Sequence, residues 1–194
     1  ELDGSAERIL RAKERWIHPA EPESAGRAED FAAAARMARE AVTAVRGKAC
    51  RASEKTFFCG CADYRMTQAS NADPEAKAFP EYMGARFGAK FAVCSKDPDE
   101  KEIAELVKCA DGAENIIFSS CNAHLFRGQL ALAAALAEKG VPMTVAALRN
   151  PYDLPLMPEN AALLAAFDYS RDSLAALADV FSGGDCCGVM PAAL

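Results

Sequence analysis

The sequence lacks a long apolar run, an excess of basic charge and a phosphate-binding glycine motif. No run approaches the roughly 20 apolar residues that cross a bilayer, so we expect no membrane partner. The formal net charge is −6 over 194 residues, which provides no basic face and argues against nucleic acid as a partner. The pair Gly183-Gly184 follows a predicted helix instead of opening one, which is the wrong context for phosphate binding. We predict no cofactor.

Histidine is scarce, and the Cys-x-x-Cys spacing of zinc and redox sites does not occur. The histidines number two, His18 and His124, whereas the cysteines number eight. Several cysteines lie within apolar runs, as Cys59 does after two phenylalanines, which is typical of buried free thiols. Cys59 and Cys61 would share one face of a strand, but two thiols supply only half of a tetrahedral zinc site. We predict no metal site, and the free thiols favour a reduced, cytoplasmic setting.

Short apolar segments alternate with helix-like segments from residue 55 onward. The predicted strands cover residues 56–62, 90–94, 115–120, 143–148 and 162–167, with an edge strand at 189–194. The predicted helices of this region begin at Asp73, Asp97, Phe126 and Ser170. Strands separated by helices of about 10–15 residues form a parallel sheet that is covered on both faces. The sequence therefore predicts an α/β fold, a three-layer αβα sandwich with a mainly parallel, flavodoxin-like sheet of about five or six strands.

Two further helices are predicted before this alternating region. Residues 5–17 form the first, and His18-Pro19 ends it. Residues 30–46 form the second, because apolar side chains recur every three or four positions and Gly47 follows the last of them.

Three features near the C-terminus follow one another in a fixed order. An apolar strand leads into Asn150-Pro151-Tyr152-Asp153, a second strand leads into Asp168-Tyr169-Ser170, and Gly188-Val189-Met190-Pro191 closes the series. This order resembles the C-terminal domain of glycoside hydrolase family 3, where an Asn-Pro-Tyr-Asp-like turn and a Gly-Lys-Leu-Pro-like segment stand in the same places. Residues 8–13 are similar to the Arg-Ile-Leu-x-x-Lys helix that closes the family's N-terminal barrel. The resemblance implies that residues 1–54 are the end of the barrel and linker helices, and residues 55–194 the α/β sandwich domain.

The resemblance also implies a parent enzyme that hydrolyses O-glycosyl bonds with retention of the anomeric configuration. The implied enzyme is closer to the β-N-acetylhexosaminidase branch of the family than to the β-glucosidase branch. In the family, the nucleophilic Asp lies in the N-terminal (β/α)8 barrel. In the hexosaminidase branch an Asp–His acid/base pair also lies on the barrel, near a Lys-His-Phe-Pro-Gly-His-Gly motif that this sequence does not contain. The chain begins at Glu1 without an initiator Met, and we expect it to be the interior of a longer polypeptide.

From these features we predict a supporting domain and not a complete enzyme. Its partners would be the barrel of the same polypeptide and the carbohydrate substrate whose site it shapes. We expect exposed apolar surface where the barrel docks, and no glycoside hydrolysis by this chain alone. Two other functions are compatible with the sequence: a free-standing flavodoxin-like binding or regulatory domain without catalysis, and an inactive family member with a structural role. The reading frame upstream of Glu1 discriminates among the three.

Candidate substrate contacts lie where the predicted strands end, since ligands of open parallel sheets bind at the carboxyl ends of the strands. The polar residues at these ends that could bond sugar hydroxyls are Asp63, Tyr64, Arg65, Asn122, His124 and Arg149. Strand-end loops are polar in any fold of this class, which is the alternative explanation. His124 either serves as an acid/base group, because its ordinary pKa lies near neutrality, or caps the helix that follows it. No residue is assigned a catalytic role.

Overall fold

The computed structural model describes residues 2–17, 27–62 and 77–191. The chain divides into two compact units, residues 1–33 and residues 34–194. The first unit contains helix α1 (Leu2–Trp16) and the beginning of helix α2 (Ala28–Ala41), which ends in the second unit. Among the described residues, no helix combines the length and the apolar character needed to span a membrane.

The second unit is organised around a six-stranded sheet. Its strands are β1 (Thr43–Arg46), β2 (Thr56–Cys61), β3 (Lys90–Cys94), β4 (Asn115–Ser120), β5 (Met143–Ala147) and β6 (Ala162–Ala165). The strands lie in the order β1-β6-β5-β4-β2-β3. All neighbouring pairs from β2 to β6 are parallel, and β1 alone runs antiparallel, against β6. The predicted mainly parallel sheet of five or six strands is confirmed.

Helices cover both faces of this sheet. The helices are α3 (Phe79–Phe87), α4 (Glu100–Cys109), α5 (Arg127–Ala137) and α6 (Arg171–Phe181), and a 3₁₀ helix spans Pro151–Leu156. Helices α4 and α5 contribute buried side chains to the cluster on one face, and α3 and α6 contribute to the cluster on the other. Every residue of β2 and β5 is buried, because strands covered on both faces have no solvent side. The predicted three-layer sandwich is confirmed.

The core on the α3 and α6 face is aromatic. Phe58 of β2 stacks on Phe87 with ring centres 5.7 Å apart. It packs edge-on with Phe79 at 6.3 Å and at a tilt with Phe181 at 6.5 Å. Such pairs stabilise a core beyond the area they bury. This cluster joins β2 to both helices of that face.

The strand order creates a switch point between β2 and β4. The chain leaves β2 toward β3 on one side, and it leaves β4 toward β5 on the other. In open parallel sheets this arrangement opens a crevice at the carboxyl ends of the two strands, where ligands bind. The segment that follows β4 therefore lies at the position where the fold favours a site.

Two elements differ from the sequence predictions. The helix predicted for residues 30–46 ends at Ala41, and Thr43–Arg46 forms the edge strand β1. This strand pairs with β6 and forms one edge of the sheet, whereas the edge strand was expected at residues 189–194. The described part of that segment, up to Pro191, is not a strand, and Gly188 instead donates its backbone N–H to Val42. The domain boundary after residue 54 stays a prediction, and the sheet itself begins before it.

Helix α4 begins two residues later than predicted. Asp99, and not Asp97, is its N-cap, since the Asp99 carboxylate accepts the Glu102 backbone N–H at 2.8 Å. The Asp97 carboxylate instead accepts the backbone N–H of Gly128 at 2.6 Å. The helix start predicted at Asp73 lies outside the described residues.

Candidate functional site

A tight turn follows β4 at the switch point. Asn122 has a φ of 55°, in the left-handed region that Asn tolerates better than most residues. Its carbonyl accepts the backbone N–H groups of Leu125 and Phe126, at 2.9 and 3.2 Å. This turn reverses the chain between β4 and α5, and it places His124 at the carboxyl edge of the sheet.

His124 is bound to a buried carboxylate. Asp153, in the 3₁₀ helix after β5, has a fully buried side chain, whereas the His124 side chain is 26% exposed. Oδ1 of Asp153 accepts the His124 backbone N–H at 3.0 Å and lies 2.7 Å from His124 Nδ1. Among the described residues, none donates a hydrogen bond to the other carboxylate oxygen, Oδ2. The imidazole is therefore held at two points by one carboxylate oxygen.

A second contact joins the same two loops. The Asn150 side-chain amide donates to Oδ1 of Asn122 at 2.8 Å. Asn150 has extended backbone, with a ψ of 128°, because the following Pro151 disfavours the helical region. The segments after β4 and β5 are thus connected by two side-chain contacts that pass directly between them.

Arg149 lies at the end of β5 and turns toward β6. Its guanidinium carbon is 5.7 Å from the ring centre of Tyr169, a cation–π distance. Its Nη1 atom is buried, and no described residue accepts a hydrogen bond from it. Arginine keeps its charge at all ordinary pH values, so this N–H group is a permanent donor.

The carboxylate of Asp168 lies after β6, in the same row of strand ends. Partial burial acts to raise its pKa, but hydrogen bonds from Ser170, Ser173 and the backbone amides of Tyr169 and Ser170 together outweigh burial and lower the pKa below its ordinary value. The Ser173 hydroxyl donates to Oδ2 of Asp168 at 3.0 Å. Asp168 thereby fixes the start of α6, whose N-cap is Ser170.

The buried cysteines form part of the core. Cys59, Cys61, Cys94 and Cys121 are buried on the face that α4 and α5 cover. A hydrogen bond with the Cys59 thiol, assisted by burial, raises the pKa of the Cys94 thiol well above its ordinary value. In the part of the chain that the structure describes, no three His, Cys, Asp or Glu side chains converge as metal ligands would. These thiols behave as small apolar side chains.

The structure brings two of the candidate residues together and places a third nearby. Asn122 and His124 share the turn after β4, and Arg149 follows the neighbouring strand β5. Asp63, Tyr64 and Arg65 lie outside the described residues. His124 does not cap the following helix, since the N-cap of α5 is Phe126 and it lacks a side-chain cap bond.

Sequence reasoning missed the role of Asp153. It assigned Asp153 no partner elsewhere in the chain, whereas the Asp153 carboxylate accepts the backbone N–H of His124, 29 positions away. An acidic residue between Tyr152 and Leu154, in a segment that packs on the sheet, is a signal of a buried partner. The identity of that partner is set by the tertiary fold and cannot be found by local pattern.

Similar proteins were found among solved structures. No protein-family model matches the sequence, and no curated protein matches it. A glycoside hydrolase family 3 β-N-acetylglucosaminidase from Paenibacillus sp. str. FPU-7 matches 97% of this chain with a TM-score of 0.79 and 22% identity. A fungal multi-domain family 3 β-N-acetylglucosaminidase matches 92% with a TM-score of 0.69 and 17% identity. A β-glucosidase from Listeria innocua matches 91% with a TM-score of 0.68 and 12% identity.

The matches cover a minor part of each of these enzymes. This chain spans 38% of the Paenibacillus chain, 21% of the fungal chain and 30% of the Listeria chain. The predicted resemblance is thus confirmed at the level of the fold: the chain has the α/β fold that glycoside hydrolase family 3 enzymes contain as one part of a longer polypeptide, which is consistent with their C-terminal domain.

Proposed function

We propose that this chain is the C-terminal α/β domain of a glycoside hydrolase of family 3, in which it packs on an N-terminal (β/α)8 barrel and shapes the sugar site. The observation that carries the proposal is the match of 97% of the chain, at a TM-score of 0.79, to part of a family 3 β-N-acetylglucosaminidase. That enzyme matches with a higher TM-score than the Listeria β-glucosidase, 0.79 against 0.68, which favours a β-N-acetylhexosaminidase as the parent. Hydrolysis of the O-glycosyl bond would be carried out by the complete protein.

The carboxyl edge of the sheet is the surface that would face the barrel. Three large apolar side chains are exposed in the loops after β4 and β5: Leu125, Tyr152 and Leu156, at 58, 65 and 55%. Exposed apolar side chains grouped around polar ones are typical of a docking surface. His124 and Arg149 lie in the same loops, so docking would place them beside the sugar. Asn122 is only 1% exposed and its side chain bonds Asn150, so it would support the turn and would not meet the sugar directly. Asp63, Tyr64 and Arg65, after β2, are proposed as contacts from sequence alone.

We expect no hydrolysis by this chain alone. A retaining glycosidase needs two catalytic groups roughly 5–5.5 Å apart, one of them a carboxylate able to attack the anomeric carbon. Asp153 is fully buried behind His124, and Asp168 is engaged by two serines, so neither is free to be that nucleophile.

The reading frame that encodes the chain tests the proposal. A segment encoding a (β/α)8 barrel, continuous with Glu1 on its N-terminal side, is the expected finding. A start codon directly before Glu1 would contradict it and favour a free-standing flavodoxin-like binding or regulatory domain. In parallel, the chain is assayed on aryl β-N-acetylglucosaminides and aryl β-glucosides. Robust turnover by the isolated chain would show that the chain itself contains the catalytic groups, which would contradict the proposal.

A further inference from the structure

The pairing with Asp153 fixes where the His124 proton lies. An ionised carboxylate only accepts hydrogen bonds, so the 2.7 Å contact with Asp153 Oδ1 requires the neutral imidazole to carry its proton on Nδ1. Nε2, on the far side of the ring, then has a free lone pair. The His124 backbone N–H donates to the same oxygen, which also fixes the backbone that carries the imidazole ring. His124 therefore offers one oriented acceptor, which becomes a donor when the ring is protonated.

A carboxyl group at position 153 is more than the backbone bond requires. A neutral amide oxygen would accept the His124 backbone N–H equally well, whereas a buried carboxylate with an unpartnered oxygen is costly. What a carboxylate adds is a single tautomer and a single ring orientation. These are properties that matter when Nε2 binds something outside the chain.

The surroundings of His124 indicate the kind of ligand. The exposed ring of Tyr152 stands edge-on to the imidazole, with centres 6.3 Å apart and planes at 82°. The exposed side chain of Leu125 adjoins His124 in sequence. An oriented polar atom beside an exposed aromatic ring suits a ligand with both hydroxyl groups and an apolar C–H face. This combination lies at the switch point of the sheet, where ligands of this fold bind.

We propose that His124 Nε2 accepts a hydrogen bond from a hydroxyl group of a pyranoside whose C–H face lies against the Tyr152 ring, with Asp153 as the positioning residue. The inference rests on the proposed function, since the sugar class comes from there, and it assigns the contact to this chain itself. His124 is then a substrate-binding residue contributed by the α/β domain.

A nitrogen-15 NMR titration of the imidazole in the full 194-residue chain tests the inference, with methyl N-acetyl-β-D-glucosaminide as the probe. We expect the free chain to show His124 protonated on Nδ1, and the probe to shift the Nε2 resonance. His124→Ala should weaken binding about tenfold, the effect of one lost hydrogen bond. Val189→Ala, at an exposed position in the C-terminal segment, is the matched control and should bind as the wild type does.

Two further variants separate positioning from packing. Tyr152→Phe keeps the ring and should bind as the wild type does, whereas Tyr152→Ala should weaken binding. Asp153→Asn keeps an acceptor for the backbone but should move the tautomer equilibrium of His124 and weaken binding, and far-UV circular dichroism checks that it folds. Because Tyr152 is exposed and its variants leave the core intact, they remain informative if Asp153→Asn unfolds the chain.

An Nε2 resonance that stays unmoved at saturating probe, or no binding by the wild type, would overturn the inference. Its failure is distinguishable from that of the proposed function. A barrel upstream of Glu1 with an unmoved Nε2 leaves the proposed function standing and removes this site. A shifted Nε2 in a chain without a barrel removes the glycosidase and leaves a sugar-binding domain.

Discussion

Gln129 closes a hydrogen-bonded ring with the backbone of Cys121. The buried side-chain amide of Gln129 accepts the Cys121 N–H at 3.0 Å and donates to the Cys121 carbonyl at 3.1 Å. The same amide donates to the Lys96 carbonyl at 2.8 Å. One side chain of α5 therefore connects the loop after β3 with the loop after β4. The turn that carries His124 begins at Cys121, and its position depends on this contact.

Gln129→Leu should therefore destabilise the chain. The substitution leaves a buried N–H and a buried carbonyl of Cys121 without their partner, which costs about 1–3 kcal/mol of unfolding free energy. Urea unfolding followed by circular dichroism measures it. Glu105→Leu, at an exposed position of the neighbouring helix α4, should change stability by less than about 0.5 kcal/mol. Equal effects of the two substitutions would contradict the role given to Gln129.

Phe58→Ala should produce a larger loss. Phe58 is fully buried against three phenylalanines, and removal of such a ring leaves a cavity that costs about 3–5 kcal/mol. Phe91, on the edge strand β3, is 48% exposed, and Phe91→Ala should cost clearly less. The midpoints of urea denaturation compare the two variants. A smaller loss for Phe58→Ala than for Phe91→Ala would show that the aromatic cluster is not the core of that face.

Asp168 should make stability depend on acid pH. Its pKa is lowered in the folded chain, because the hydrogen bonds from Ser170, Ser173 and backbone amides outweigh partial burial. Because the pKa of Asp168 is lower in the folded chain than in the unfolded chain, ionised Asp168 stabilises the fold. This contribution is fully present above the unfolded pKa of 3.8, and it is lost as the pH falls through the lower pKa of the folded chain. Asp168→Asn should flatten the fall of the unfolding temperature below about pH 4, relative to the wild type.

The size of this effect is limited because Asp168 is only partly buried and water still reaches its carboxylate. Glu105→Gln serves as the control, since no described residue donates a hydrogen bond to the Glu105 carboxylate. Thermal unfolding scans between pH 3 and pH 6, roughly the range in which the carboxyl titrates, provide the measurement. Identical acid profiles for wild type and Asp168→Asn would contradict the stabilising role of this network.

The exposed apolar side chains at the carboxyl edge should cause self-association of the isolated chain. Leu125, Tyr152 and Leu156 would be covered by the barrel in the proposed parent enzyme, and without it they meet water. The triple substitution of these residues by serine should reduce association in sedimentation velocity. Val189→Ser, at a position that is 87% exposed elsewhere in the chain, should not. A wild-type chain that stays strictly monomeric at high concentration would argue against the docking surface.

The sequence predicted the parallel strands well and the antiparallel edge strand β1 poorly. Strands β3 and β4 have the bounds that their apolar runs predicted. Strand β4 is buried almost throughout, whereas β3 is an exposed edge strand that its short apolar segment still marks. Residues 42–46 fit a continuing helix by periodicity, yet they form β1 because pairing with β6 outweighs a local preference. Tertiary pairing of this kind cannot be seen in a single short window of sequence.

The candidate site likewise contains residues that the sequence predicted and one that it did not. His124 and Asn122 could be predicted because they follow a strand, and strand ends converge at one edge. The Asp153 partner could not, since the contact depends on how the 3₁₀ helix packs over the sheet. The cap of α4 shows a related ambiguity: Asp97 and Asp99 both satisfy the local rule, and the contact of Asp97 with Gly128 decides between them.

The size and activity of the native polypeptide test the assignment most directly. An antibody raised against the folded 194-residue chain recovers the protein from the cells that make it. The proposed function predicts a polypeptide much longer than this 20.6 kDa chain, with β-N-acetylglucosaminidase activity in the recovered material. A native polypeptide of about the mass of this chain, without glycosidase activity, would contradict the assignment.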